Sequence, residues 1–142
     1  MEKVLLAYDG SECARRALDY VLALVARQPG TSVHVLTAEP EPRLYGESAA
    51  YVQKEALEQA VLQEGGAIAA VAVAQLAAAG VTHQQEVLLG DASQLIAARA
   101  EAIGCTHIVM GSRGMGSVGN LLLGSVATKV LHRTQVPVTL IR

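Results

Sequence analysis

The sequence predicts an α/β fold: an open five-stranded parallel sheet with helices on both faces, in one domain covering residues 1–142. Three observations lead there. Short apolar runs of strand length alternate with longer stretches whose apolar residues recur at helical spacing. The core must be built of Ala, Val, Leu and Ile, because aromatics make up only 3% of the chain and all of them are tyrosine. Such side chains suit helices packed closely on a parallel sheet. The third observation is a glycine-rich stretch, residues 111–124, that sits between an apolar run and a helical pattern, where such sheets place ligand loops.

Taken in order, Val4-Leu5-Leu6-Ala7-Tyr8 reads as a strand buried on both faces and ended by Asp9-Gly10-Ser11. Ser11 is a helix N-cap, and Ala14, Leu18, Val21, Leu22 and Val25 follow at helical spacing until Pro29-Gly30. Ser32 to Ala38 is the second strand. A loop over Glu41 to Glu47 leads to a long helical region from about Ser48 to Ala79, with Gly65-Gly66 inside it as a point to kink or break. Gly80 stops that helix. Val81 to Leu89 is a third strand, polar at its start and so nearer an edge. Asp91 or Ser93 caps a helix that runs through Ala102. Cys105 to Met110 is the fourth strand, Asn120 to His132 the last helix, and Val136 to Ile141 the last strand. Pro137 near its start suits an edge strand or a strand beginning. If the first and fourth strands are neighbours where the strand order reverses, Asp9 faces the glycine stretch across a crevice.

That stretch holds Gly111, Gly114, Gly116, Gly119 and Gly124. Glycine lets backbone N–H groups approach phosphate oxygens with no Cβ in the way, and the first turn of the following helix adds unpaired N–H donors. Ser112, Ser117 and Ser125 add hydroxyls and Arg113 a fixed charge. The chain carries a net charge of -2, yet no Asp or Glu follows Glu101 while Arg113, Lys129, Arg133 and Arg142 do. Local cation around glycines favours a phosphate-bearing ligand.

Composition and spacing exclude several classes. At 51% hydrophobic and 17% charged residues the chain is globular. The mild negative charge and the lack of aromatics speak against nucleic-acid binding. Cys13 and Cys105 lie far apart, form no C-x-x-C, and read as small buried hydrophobes. His34, His83, His107 and His132 are scattered without metal spacing and read as surface or strand-packing residues. The N-terminal apolar run is too short for a signal peptide, and the alanine-rich segment Ala67–Val81 is too short and too weakly apolar to span a membrane; both point to the cytoplasm. A Walker A loop is absent. A literal G-x-G-x-x-G occurs at Gly114 to Gly119, but it follows the fourth strand and no acid stands about 20 residues on, so a dinucleotide site is not expected.

Gly111-Ser112-Arg113-Gly114, then nine residues, then Gly124-Ser125, resembles the G-x2-G-x9-G-[ST] nucleotide loop of the universal stress protein family. The opening strand into Asp9-Gly10-Ser11, Gly90-Asp91 before a helix, Ile108 to Gly114, and Val136-Pro137-Val138-Thr139-Leu140-Ile141 resemble that family as well, so the likeness covers the whole chain. Two departures stand out. Thr106 occupies a position where the family often has an acid, and Tyr8 precedes Asp9 where smaller residues or Pro are common.

The resemblance implies a Rossmann-like α/β sandwich and a homodimer paired through the C-terminal strand. Because the glycine pattern is kept, it implies the ATP-binding branch, with Mg²⁺ held mainly by the phosphates. It assigns Gly111, Gly114, Gly124 and Ser125 to ribose and phosphates, Arg113 to a phosphate, and Asp9 to ribose hydroxyls or a water-bridged Mg²⁺. It sets the adenine against the end of the second strand at Thr37 or Ala38 through main-chain groups, with Met110 and Val126 as apolar or main-chain neighbours. No catalytic constellation is visible. The expected function is a nucleotide-responsive stress or regulatory module with slow ATP hydrolysis at most. The alternatives are an ATP-using enzyme of pyrophosphatase or nucleotidyl-transfer type on the same sheet, and a dimeric interaction module that binds no nucleotide.

Overall fold

The computed structural model describes residues 2–43, 50–116 and 122–142, with backbone alone for 50–52. The expectations placed on Gly46 to Ser48, Ser117, Gly119 and Asn120 fall outside these residues. The described elements are β1 (Lys3–Ala7), α1 (Glu12–Arg27), β2 (Ser32–Glu39), α2 (Ala50–Ala78), β3 (His83–Leu89), α3 (Ala92–Ala102), β4 (His107–Gly111), α4 (Ser125–Arg133) and β5 (Val138–Ile141). All neighbouring strands are parallel, in the order β3-β2-β1-β4-β5. The expected α/β sheet is therefore the observed one. Its strand order reverses between β1 and β4, the pair whose register runs from Val4↔His107 to Ala7↔Met110.

Strand alternation splits the core in two. Val4, Leu6, Val33, Val35 and Val109 face α1 and α2, where Ala17, Leu18, Val21, Ala72 and Leu76 meet them. On the other face Leu5, Leu36, Ile108 and Met110 lie under α3 and α4, against Ile96, Ala100, Ala127 and Val130. Many of these side chains are fully buried, each contributing about 1.5–3 kcal/mol through removal from water. The small alanines let the helix axes sit close to the sheet. Cys13 and Cys105 are both buried and free, and burial pushes the Cys105 thiol up.

The polar side chains inside this frame are tied down. Ser11 caps α1 by accepting from Ala14 N–H at 3.2 Å. Asp91, rather than Ser93, caps α3: its Oδ1 accepts from Gln94 N–H at 3.0 Å and from Ser93 Oγ at 2.6 Å, and these bonds hold its carboxyl below the usual range. His34 Nε2 and Arg99 Nε meet Glu86 Oε2 at 2.9 and 3.0 Å, which joins β2, β3 and α3. His107 pairs with Thr139 across β4 and β5, and His83 with the Val81 carbonyl.

Three expectations need correction. Where it is described, the last helix begins at Ser125: Leu122 and Leu123, inside the expected Asn120–His132 span, lie in a bend and Gly124 is the N-cap. Gly65-Gly66 does not break α2, which runs on through both residues. A Cβ at Gly65 would stand 2.6 Å from Val87 Cγ1 and 3.0 Å from Glu39 Cγ, so the glycine marks close packing of helix on sheet. Finally, the apolar helical segment is longer than expected. Gln53–Ala78 is long and apolar enough to cross a membrane, with a mean hydropathy of 1.4. In this fold it carries Lys54, Glu55 and Glu58 outward and lays Ala69, Ala72 and Leu76 on the sheet.

The same contact sets Glu39. Burial raises its pKa first, and the Glu64 and Asp9 carboxylates raise it further. A carboxyl raised in the folded state binds its proton more tightly there than in the unfolded chain. Its contribution to stability is thus complete below the unfolded-chain pKa and is lost as pH rises through the folded one. Glu39→Gln should therefore melt above the wild type at pH 7, with the advantage shrinking toward pH 4; a difference that does not change with pH would refute this account of Glu39. Urea denaturation of two alanine variants tests the Gly65 contact. Gly65→Ala should lose about 1–3 kcal/mol from overpacking, whereas Gly66→Ala, with open space around its Cβ, should gain about 0.5–1 kcal/mol. Equal gains in both would mean that α2 is not pressed onto the sheet at Gly65.

Candidate functional site

Parallel strands all point their C-terminal ends the same way, so the loops that leave them gather on one side of the sheet. There a cavity of about 470 Å³ opens between the ends of β1, β2 and β4, roofed by α2 and α3 and closed by the start of α4. Of the ten residues expected at the site, nine line it: Asp9 from β1's end, Ala38 from β2, Met110, Gly111, Arg113 and Gly114 from β4 and its loop, and Gly124, Ser125 and Val126 from the beginning of α4. Thr37 does not. Successive strand residues face opposite ways, and Thr37 is turned toward the α1–α2 side, fully buried, with its Oγ1 donating to the Tyr8 carbonyl at 2.8 Å. Ala38 faces the cavity in its place.

Asp9 joins the two loops at the point of strand reversal. Its Oδ1 accepts from Ser11 N–H at 2.9 Å, as a turn-forming side chain does, and its Oδ2 accepts from Met115 N–H at 3.3 Å. The glycines around it are there because neighbours come close. A Cβ on Gly114 would stand 2.8 Å from Asp9 Oδ2, and one on Gly111 would meet Cys13 Cβ at 2.7 Å and the α1 backbone at 3.0 Å. The loop's base is pinned as well. Ser112 N–H donates to the Ile141 carbonyl, and Gly124 N–H to the Ser112 carbonyl, both at 2.7 Å. The second bond folds the start of α4 back onto the end of β4.

The cavity walls differ in character. Leu36, Ala38, Ala92, Ile96 and Met110 make an apolar slot on the α3 side. Glu39, Glu64 and Ile68 stand on the α2 side next to Asp9. At the far end, α4 begins with a glycine and no side-chain cap, unlike α1 and α3. Its first backbone bond is donated by Thr128 N–H to the Gly124 carbonyl at 3.1 Å, so the amides of residues 125–127 have no acceptor within the helix. The start of α4 with the positive end of its dipole, Arg113, and the acidic residues Asp9, Glu39 and Glu64 thus line one cavity. Beneath it, burial pushes the Tyr8 phenol up, opposed by the Arg15 guanidinium.

Glu39, Glu64, Ala92 and Ile96 were not anticipated at the site. The i, i+4 spacing of Ala92 and Ile96 after a cap at Asp91 was a legible sign for one wall. Glu64 had no such sign, because only the fold brings the middle of a 29-residue helix over the β1 loop. Among the described residues no group of three or more His, Cys, Asp or Glu stands together as a metal cage. The cavity combines an apolar slot with a helix start whose first amides have no acceptor within the helix.

Comparison with known proteins agrees over the full length. The model of the universal stress protein family matches residues 1–142. A curated relative, the universal stress protein in the QAH/OAS sulfhydrylase 3' region of Thermus aquaticus, is 36% identical over 140 residues, 98% of this chain and 97% of the relative. Among solved structures, the protein MJ0577 superposes with a TM-score of 0.89 at 25% identity, over 99% of this chain and 94% of that one. A universal stress protein from Arabidopsis thaliana, solved with AMP bound, shares the fold with a TM-score of 0.65 at 18% identity, over 99% and 91% of the two chains. Given a family match from the first residue to the last and a relative of this identity, the chain belongs to the universal stress protein family.

Proposed function

We propose that this chain binds an adenine nucleotide, ATP foremost, in the crevice between β1 and β4, and that it serves as a nucleotide-responsive stress or regulatory module in the cytoplasm. The observation that carries the reading is the pairing of a close-packed glycine loop with an uncapped helix start at the strand reversal, both facing one cavity. In this reading the phosphates take the amides of Gly124 to Val126, the Ser125 hydroxyl and Arg113. The ribose hydroxyls donate to Asp9. The base enters the apolar slot beside Ala38 and Met110 and meets β2 through its main chain, with Thr37 held away. The AMP carried by the Arabidopsis thaliana protein of the same fold is consistent with this ligand class. Mg²⁺ would arrive on the phosphates, with Asp9 a carboxylate in the cavity to reach it through water.

The chain itself supplies orientation and charge complementarity; in this reading slow ATP hydrolysis, with Asp9 as the residue to activate a water, is a side reaction. β5 lies at one edge of the sheet, and a homodimer would pair it with a second copy.

Denaturing the purified protein and separating what it releases tests the ligand directly; ATP or ADP near one per chain is expected. Stripped protein should gain about 2.7 kcal/mol, a melting shift of roughly 10 °C, at ATP a hundredfold above its Kd. A Gly114→Val, Gly124→Val double variant should show no release and no shift. A wild type that releases nothing and melts identically with ATP, ADP, AMP, cyclic AMP and NAD would leave a dimeric interaction module as the reading. Sedimentation should give a particle of two chains; a monomer at micromolar concentration would sink the β5 pairing.

A further inference from the structure

Two residues that line the cavity, Glu39 and Glu64, have no part in the reading above. Glu39 ends β2, and Glu64 stands in the middle of α2. Packing keeps the Glu39 side chain beside that helix. A Cβ at Gly65, the residue after Glu64, would lie 3.0 Å from Glu39 Cγ and 3.7 Å from Glu39 Oε1. The Glu39 carboxyl therefore runs along α2 instead of out into water. Asp9 completes the group: after burial, the Glu64 and Asp9 charges both raise the Glu39 pKa, so the three carboxyls feel one another. Glu86, elsewhere in the fold, is met by His34 and Arg99. Among the described residues no Lys, Arg or His forms an ion pair with Asp9, Glu39 or Glu64. The cavity thus holds three acids and one guanidinium, Arg113.

The charges are sorted by place. Arg113 and the free amides of residues 125–127 belong to the β4 loop and the start of α4. Glu39 lies on the far side of β1 from them, because the strand order is β2-β1-β4. Two strand spacings, about 10 Å, separate the ends of β2 and β4. A phosphate-bearing ligand fits this pattern in one sense only. Its phosphates lie over β4 and its flat apolar base on the α3 side. The sugar between them turns its hydroxyl edge toward the α2 side, where ionised carboxylates can only accept hydrogen bonds. Hydroxyl donors are welcome on that edge, and a second phosphate there would meet like charge.

We infer that Glu39 and Glu64 are specificity-determining residues that admit nucleotides phosphorylated on the 5′ oxygen alone and reject those that carry a phosphate on the ribose 2′ or 3′ oxygen. The inference rests on the nucleotide reading above and adds to it a wall that acts by repulsion. Charge, not bulk, is the agent. Glutamine has the shape of glutamate without its charge, so it should open the site to the rejected class.

Two isomers test this: ADP and adenosine 3′,5′-bisphosphate contain the same atoms and differ in where the second phosphate is attached. Both are titrated calorimetrically into stripped protein, with AMP as their common core and competition against ADP for weak binding. Wild type should bind the bisphosphate about a hundredfold more weakly than ADP and also more weakly than AMP. The Glu39→Gln, Glu64→Gln double variant should bind the bisphosphate at least about tenfold more tightly than wild type does. Such a gain cannot come from a damaged site. Glu64→Gln alone, at an exposed position, should show part of the gain and carries the test if the double variant fails to fold. A wild type that binds the bisphosphate as tightly as ADP would overturn the inference and leave the nucleotide reading standing. So would a rejection that persists undiminished in the glutamine variants. A wild type that binds none of the three ligands would overturn both together.

Discussion

The parallel pairing of β1 with β4 is the constraint on which the rest depends. It joins strands about a hundred residues apart in sequence and sends the chain away from them on opposite sides. A gap opens at their ends that no side chain of the sheet itself can fill. Asp9 spans it from one loop to the other, and the glycines at 111 and 114 let the second loop come close enough to be spanned. A Cβ at either place would push against a helix backbone or a carboxylate, so loop shape and strand pairing stand or fall together. The apolar slot, the helix start and the acidic wall are arranged around that one junction.

Much of this was legible in the sequence because the signals were local. Five apolar runs with helical stretches between them specify a parallel sheet. Asp9-Gly10-Ser11 and the spacing of Gly111, Gly114 and Gly124 mark the two loops that the sheet brings together. The capping side chains at Ser11 and Asp91 were readable for the same reason, since a cap acts within a few residues. That the first and fourth strands are neighbours was a condition drawn from topology rules, and the two are paired in the sheet.

What was not legible depended on residues far apart. Thr37 and Ala38 are adjacent and equally close to the end of β2, and only the parity of the strand decides which of them faces the cavity. Gly65-Gly66 looks like a break because glycine weakens helices, whereas tertiary packing against Val87 and Glu39 overrides that preference. Leu122 and Leu123 continue a helical pattern into α4 but lie outside it, since the bond from Gly124 N–H to the Ser112 carbonyl fixes where the helix begins. The Glu39–Glu64 neighbourhood joins a strand end to the middle of a long helix, and no pattern within either segment announces it.

The two edges of the sheet are unlike. β3 opens with His83-Gln84-Gln85-Glu86, and its Glu86 is anchored inward by His34 and Arg99, so its free side is a polar strand held in place by its own neighbours. β5 is the short run Val138-Thr139-Leu140-Ile141, half-buried throughout. In the language of assembly the proposed pairing would give the sheet a valency of one. Association through β5 across a twofold axis would use that edge of each copy and leave the β3 strands, polar where they begin, at both ends of the joined sheet. Growth would then terminate at a closed pair rather than an open filament.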